Sequence, residues 1–445
     1  MPGAQHVVIV GGGFGGATVA SRLERILPSS ATISVINPTT SQLFSPLLSV
    51  AAAGLVEPRH AVIPLRRLLR RSIVVRGSAS GVDVGARTID IQLRSGGTKK
   101  LHWDRLVLAP GSIARPSAAP GVAAHSRSLK SLGDAIALRA HVAEQLELAE
   151  AATELADRRR HATFVVAGAG YAGTEVTAEL HAATVAALRL YPRVRETGIR
   201  WMLVQKSDRV LPQLGDRLGE HALRLLRRRG VDVRLDTTID GAGPGWIRLS
   251  RGGVVPTETL VWTAGVLANP WASRLGFPVD RHGRIIVDES LAVPGFSDVY
   301  AVGDAARVPQ HGERDGFAPP TATHATRQGV VCAENIAESF GGGALRTHHH
   351  HDRSLFVNLG RRQGVASLSG LPVHGVLGWA ATVTHRVTTL PAGSRRRVAF
   401  DWVARSGSVA DLSAPTHYAP HLMSLPGVDV SRPAVGPEDV ALAGH

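Results

Sequence analysis

The sequence predicts an α/β fold, and two stretches carry that prediction. In the first, four apolar residues at 7–10 (VVIV) run into Gly11, Gly13 and Gly16 at G-x-G-x-x-G spacing, and a helical pattern follows. In the second, an apolar run at 164–167 leads into Gly168, Gly170 and Gly173 at the same spacing, again ahead of a helical pattern. An uncharged apolar run before the glycines reads as a buried parallel strand. The first glycine of such a turn permits the tight bend, the second lets the backbone approach a pyrophosphate, and the third lets helix and strand pack closely. Phosphates then meet free N–H groups at the positive end of a helix. Two such fingerprints form an internal repeat at domain scale and are far more specific together than singly. They define two Rossmann-like dinucleotide-binding domains. The first is discontinuous (1–120 and 286–345), the second is inserted in it (121–285), and a small C-terminal α+β region (346–445) follows.

The elements follow in order. Residues 31–37 (ATISVIN) supply the second strand of the first unit. Its terminal position, where an acid would hold a ribose diol, is Asn37. An amide still hydrogen-bonds a hydroxyl, and FAD carries no 2′-phosphate that the missing charge would have to exclude. The small-residue run AAAG at 51–54 suits close approach to a bulky ligand, and residues 58–71 read as the start of a basic, solvated helix. Residues 73–93 alternate with glycine turns, as antiparallel strands do. Residues 131–160 read as helix. In the second unit, residues 200–212 form a strand ending at Gln205, followed by Lys206, Ser207 and Arg209. Those residue types suit a 2′-phosphate, so NADPH is expected to be accepted beside NADH. A helix at 216–229 stops at Gly230. A strand at 299–302 ends on Gly303 and Asp304 ahead of an expected helix start, where the carboxylate holds hydroxyls or serves as an N-cap. Residues 319–340 read as a helix entered through prolines and ended by glycines. Residues 375–402 read as a moderately amphipathic helix followed by basic residues. The last thirty or so residues, rich in Pro and Gly, are expected to lack order.

Composition narrows the function. A chain of 445 residues with 44% apolar content has ample core for two or three domains. Its formal charge of +14 is carried mostly by Arg, which suits anionic cofactors or an anionic membrane surface. Nucleic acid is not expected, since no nucleic-acid motif is present and aromatics are only 4%. The single cysteine, Cys332, excludes any electron relay through a dithiol. No apolar run of about 18 residues exists to span a bilayer, and a fingerprint at residue 11 leaves no room for a cleaved leader. A cytoplasmic protein, peripheral on the inner face of the membrane, is the expectation. The histidine tract at 347–352 gives no defined ligand geometry, so no metal is expected.

With these stretches in view, the chain resembles the type II NADH dehydrogenases, the non-pumping NADH:quinone oxidoreductases within the FAD/NAD(P)-dependent pyridine nucleotide-disulfide oxidoreductases. The resemblance runs over residues 7–402. It rests on VVIVGGGFGG, LFSPLLSVAAAGLVEP, WDRLVLAPGS, LKSLGDAIALRAHV, GAGYAGTEVTAEL, LVWTAGV, VYAVGDAA and VNLGRRQGVASLSG. It implies FAD on Gly11, Gly13 and Gly16, the segment around Gly111, and Gly303 with Asp304. Phe14, Gly15, Asn37, Pro46 and Ala109 complete that set. It implies the nicotinamide nucleotide on Gly168, Gly170 and Gly173, with Tyr171, Gln205, Lys206, Arg209 and Gly265. Glu175 is then implied near the flavin, tuning or protonating the acceptor, with His324 a second candidate for that role. Read from the residues alone, Glu175 sits in the first helical turn and complements the helix dipole. The family's quinone-side pattern A-Q-x-A-x-Q-Q-G appears here as ATHATRQG at 322–329, which places Thr323 and Gln328 on the acceptor side. Thr323 and Arg327 depart from the pattern, so a soluble FAD-dependent reductase of another small acceptor is the alternative, and a sensing module without turnover is a third. A homodimer is a further expectation.

Overall fold

A computed structural model of the chain describes residues 5–310, 316–349 and 354–405. The chain divides into two units. One comprises Met1–Leu43, Val62–Ile113 and Val266–Asp352, and the other Phe44–Ala61, Ala114–Gly265 and Arg353–His445.

The first unit is built on an eight-stranded sheet. The strand His6–Val10 lies between Thr32–Asn37 and Arg105–Leu108, parallel to both. Phe296–Ala301 continues the parallel part on one side. Ile73–Asp83 continues it on the other and turns it antiparallel through Thr88–Leu93 and Thr98–His102. Val7, Val8 and Ile9 are wholly buried, each worth about 1.5–3 kcal/mol on burial. The helix Phe14–Ile26 crosses Ala322–Gly341 at a point where both backbones are bare. A Cβ on Gly329 would stand 2.7 Å from the Gly15 carbonyl oxygen. Gly329, the last residue of the acceptor-side pattern, is therefore needed for helix packing.

The second unit repeats the plan in a four-stranded parallel sheet. Thr163–Ala167 lies between Arg200–Val204 and Thr259–Trp262, with Asp232–Arg234 at the edge. A three-stranded antiparallel sheet, Ile239–Gly243, Trp246–Leu249 and Gly253–Pro256, falls in the chain between the strands Asp232–Arg234 and Thr259–Trp262. The helix Leu132–Ala151 opens with a capping box in which Ser131 and Asp134 satisfy each other's backbone N–H. The C-terminal part is a second antiparallel sheet, Leu355–Asn358, Gly364–Leu368 and Leu371–His374, followed by two helices.

Three expected elements differ. Residues 58–71 form no continuous helix. Pro58–Ala61 is a single turn, Val62–Pro64 pairs with Ser41–Leu43 as a strand, and Leu65–Leu68 is one further turn. Strand pairing of the apolar Val62 and Ile63 outcompetes helix there, while Arg66, Arg67, Arg70 and Arg71 are solvated as expected. Residues 131–160 form two helices, with Ala152 extended after the first and Leu155–His161 the second. Gly303–Ala305 is an isolated 3-10 turn, because Gly303 adopts φ +74 and the chain leaves as the strand Ala306–Arg307. Within 375–402 the expected helix is Gly375–Thr389, Leu390 is extended ahead of Pro391, and the basic residues that follow lie on a further helix, Ala392–Arg405. The expected loss of order in the last thirty residues, and part of the histidine tract, lie outside the described residues.

Candidate active site

The two glycine turns have the same geometry, glycine for glycine. Gly11 and Gly168 have φ of +100 and +102, which side chains rarely adopt. A Cβ on Gly11 would meet the Ala109 carbonyl oxygen at 2.1 Å, and one on Gly168 the Thr263 carbonyl oxygen at 2.7 Å. Gly16 and Gly173 face the carbonyl oxygens of those first glycines, at 1.9 and 1.8 Å from an added Cβ. Gly13 and Gly170, between them, have no protein atom within 4 Å of the Cβ position. Each turn thus closes on itself at two glycines and leaves open space at the second.

The helices that follow begin at Phe14 and Tyr171, with Gly13 and Gly170 as N-caps. Neither has a side-chain cap or an acidic residue in its first turn. The positive end of each helix dipole therefore lies at the open glycine. These are the properties a dinucleotide pyrophosphate requires, and the residues present fit one group at each turn.

The amides at the strand ends play matching parts. Asn37 Oδ1 accepts the Gly12 N–H at 2.9 Å, and Gln205 Oε1 accepts the Ala169 N–H at 2.7 Å. Asn37 Nδ2 donates to the Thr39 carbonyl and hydroxyl, and Gln205 Nε2 to Ser207 Oγ. Both side chains hold their glycine turn in shape, and each oxygen keeps one lone pair for a ribose hydroxyl.

Around the first turn, Ser112 Oγ donates to the Asp304 carboxylate. Asp304 sits within the 3-10 turn and does not cap a helix. Gln328, 2% exposed, accepts the Gly303 N–H at 2.7 Å through Oε1. It braces the turn that carries Asp304. Gly111 adopts φ +74, and its carbonyl accepts the Asn269 N–H. His324 is buried in the first turn of Ala322–Gly341, its Nδ1 2.8 Å from Thr321 Oγ1. Thr323 beside it is half-buried. Pro46 falls in the other unit, in the turn Ser45–Leu47.

Around the second turn, Gly265 adopts φ +108 and its carbonyl accepts the Arg115 N–H. Lys206 is exposed. Arg209 is also exposed but already held by Asp208 and Asp216.

Glu175 departs most from its reading by sequence alone. It lies one residue past the first turn of the helix Tyr171–Ala187 and is 5% exposed, so dipole complementarity at an open helix end does not describe it. Its Oε2 accepts from Ser49 Oγ at 3.0 Å, and its Oε1 accepts the Asn358 N–H at 2.8 Å and a guanidinium N–H of Arg386. One turn along, Glu179 is paired with the Asn358 side-chain amide. Burial, then the charge of Glu175, pushes the Glu179 carboxyl up to about 8, against the pull of Arg386 and Arg229. Ser49, Asn358, Glu179 and Arg386 were not singled out by sequence reasoning. Arg386 left one signal, a lone charge within a largely apolar helix.

The comparisons with known proteins agree with this geometry. A family model described as pyridine nucleotide-disulphide oxidoreductase matches residues 5–329. The type II NADH:quinone oxidoreductase NdhA of Mycobacterium tuberculosis is 31% identical over 423 residues, covering 90% of this chain and 87% of its own. A probable NADH dehydrogenase of Dictyostelium discoideum is 28% identical, covering 90% of this chain and 89% of its own. Among solved structures, NDH2 of Plasmodium falciparum in complex with NADH superposes with a TM-score of 0.83 at 15% identity, covering 92% of this chain and 99% of its own.

Proposed function

The chain belongs to the pyridine nucleotide-disulphide oxidoreductase family and, within it, to the type II NADH:quinone oxidoreductases, and we propose that its two glycine turns divide the cofactors, FAD on the first and NADH on the second. The activity is transfer of electrons from NADH through FAD to a quinone, which sets aside the reading as a reductase of another acceptor. FAD supplies the two-electron chemistry when bound, and the protein supplies binding, orientation and electrostatics.

In this reading the positive ends of the helices Phe14–Ile26 and Tyr171–Ala187 attract the two pyrophosphates, and Gly13 and Gly170 give the room. Asp304, oriented by Ser112 and carried on the turn braced by Gln328, accepts from hydroxyls of the flavin nucleotide. Glu175 is the group that orients the acceptor or passes it a proton, with His324 as a second candidate. Ser49, Asn358 and Arg386 fix the Glu175 carboxylate in one position, which is what a group acting on a bound ring requires. Thr323 lines the acceptor side.

We further propose that the C-terminal segment rests on an anionic lipid surface. Leu371, Val376, Leu377 and Phe400 are each more than half exposed, and Arg395, Arg396 and Arg397 are exposed on the helix Ala392–Arg405. Apolar side chains beside clustered arginines suit an interfacial anchor. No helix among the described residues is long and apolar enough to cross a membrane.

The single observation that carries the cofactor assignment is the matched pair of open glycines. Gly13→Val is expected to give folded protein poor in flavin. Gly170→Val is expected to keep the flavin but lose its reduction by NADH. The reverse pattern would overturn the assignment.

A further inference from the structure

The segment after the strand Arg200–Val204 is tied twice to the centre of the second glycine turn. Gln205 Oε1 accepts the Ala169 N–H, and six residues later the Leu211 N–H donates to the Ala169 carbonyl at 2.9 Å. Lys206, Ser207, Asp208 and Arg209 lie between these ties, where a Rossmann-type domain meets the adenosine ribose of its dinucleotide. Gln205 and Ser207 are bonded to each other, and Ser207 Oγ donates on to the Arg209 carbonyl. Lys206 and Arg209 are therefore the charged donors at hand for a ribose substituent.

Arg209 is gripped from both sides. Its Nε and Nη2 meet Asp208 Oδ1 and Oδ2 at 3.0 and 3.2 Å, and its Nη1 reaches Asp216 Oδ1. Leu211 at φ +51 and Gly215 at φ +73 fold the chain back so that this second contact forms. Asp216 occupies the first turn of the helix Gly215–Arg228, where the dipole favours its charge. A 2′-phosphate reaching Arg209 would have to displace a carboxylate and then sit beside two of them. A 2′-hydroxyl meets no such repulsion.

We propose that Asp216, together with Asp208, sets the coenzyme preference by masking Arg209. The second glycine turn then takes NADH over NADPH, and removing the mask turns Arg209 and Lys206 into a 2′-phosphate site. This rests on the assignment of the nicotinamide dinucleotide to that turn, and it reverses the expectation of NADPH use drawn from the residue types alone.

The test compares wild type, Asp216→Asn, Asp208→Asn and Asp216→Asn combined with Arg209→Ala, each as flavin-loaded protein. Two quantities are read: the ratio of kcat/KM for NADPH over NADH, and calorimetric binding of 2′,5′-ADP against 5′-AMP. Asp216→Asn is expected to raise the ratio by about tenfold or more and to tighten 2′,5′-ADP by a similar factor. Adding Arg209→Ala abolishes both gains, and Asp208→Asn gives a smaller gain in the same direction. An unchanged ratio in Asp216→Asn, or a gain that survives loss of Arg209, overturns the proposal while NADH still reduces the wild-type flavin. Failure of NADH to reduce the wild-type flavin overturns the underlying cofactor assignment instead.

Discussion

Glu175 and Arg386, 211 residues apart in the chain, form an ion pair with side chains only 7% and 6% exposed. The pair joins the helix behind the second glycine turn to the first C-terminal helix. Arg386 Nη1 is buried without a hydrogen-bond partner among the described residues, so Glu175 is the main compensation they offer the buried guanidinium. Removing one partner of a buried pair costs about 3–5 kcal/mol. Ser49 and Asn358 remain on Glu175, so Arg386→Ala is expected at the lower end of that range, read as the shift of the urea midpoint. A change within the scatter of surface substitutions would show that the pair contributes nothing to the fold.

Glu175→Gln keeps the shape and the Ser49 contact but removes the charge. Flavin content and the rate of flavin reduction by NADH are expected to hold, while turnover with quinone falls. Equal losses in both half-reactions would make Glu175 a general structural residue and remove it from the acceptor chemistry.

The buried Glu179 carboxyl has a pH signature. Its folded pKa of about 8 stands above the ordinary 4.5, so between those values unfolding releases its proton. The unfolded state then binds fewer protons, and stability falls as pH rises. The contribution is whole below 4.5 and lost above about 8. His141 and His181, lowered to about 4 by burial, give the opposite slope below 6.5, so the window from 6.5 to 8 isolates Glu179. Wild-type unfolding free energy is expected to decline there, by up to about 1.4 kcal/mol per pH unit, relative to Glu179→Gln. Parallel curves for the two proteins would show that Glu179 is ionised in the fold.

Gly16→Ala introduces a Cβ 1.9 Å from the Gly11 carbonyl oxygen. Overpacking of this kind costs about 1–3 kcal/mol, so the loss is expected in the apoprotein itself. Gly13→Ala, with open space around it, is expected to leave apoprotein stability unchanged. Melting both variants without flavin separates the two glycines, and equal melting temperatures would contradict their assigned parts.

The lipid contact is tested by Leu377→Asp with Phe400→Asp. Cosedimentation with phosphatidylglycerol vesicles is expected to fall severalfold while flavin content is kept. Undiminished vesicle binding would move the anchor elsewhere.

Much of this was legible in the sequence because glycine is nearly irreplaceable at positive φ and at backbone contact. Gly11, Gly16, Gly168 and Gly173 marked two domains without any partner being known. Positions whose meaning depends on a distant partner were not legible. Arg386 gave no sign of its partner, since a sequence records a charge but not the direction in which the side chain points. Arg209 read as a donor for a phosphate because Asp216, seven residues on, returns to it only through the backbone turns at Leu211 and Gly215. Gln205 and Asn37 read as ribose contacts, and their larger task of holding the turns required the loop geometry. Val62 and Ile63 formed a strand because Ser41–Leu43 offered an edge to pair with, a long-range event that local helical periodicity does not contain.

The most direct test of two glycine turns serving one electron path is anaerobic stopped-flow of the purified protein. It should be yellow, NADH should bleach the flavin absorbance within the turnover time, and a quinone added afterwards should restore it. Protein that takes up no FAD, or a bound flavin that NADH leaves oxidised, would contradict the account.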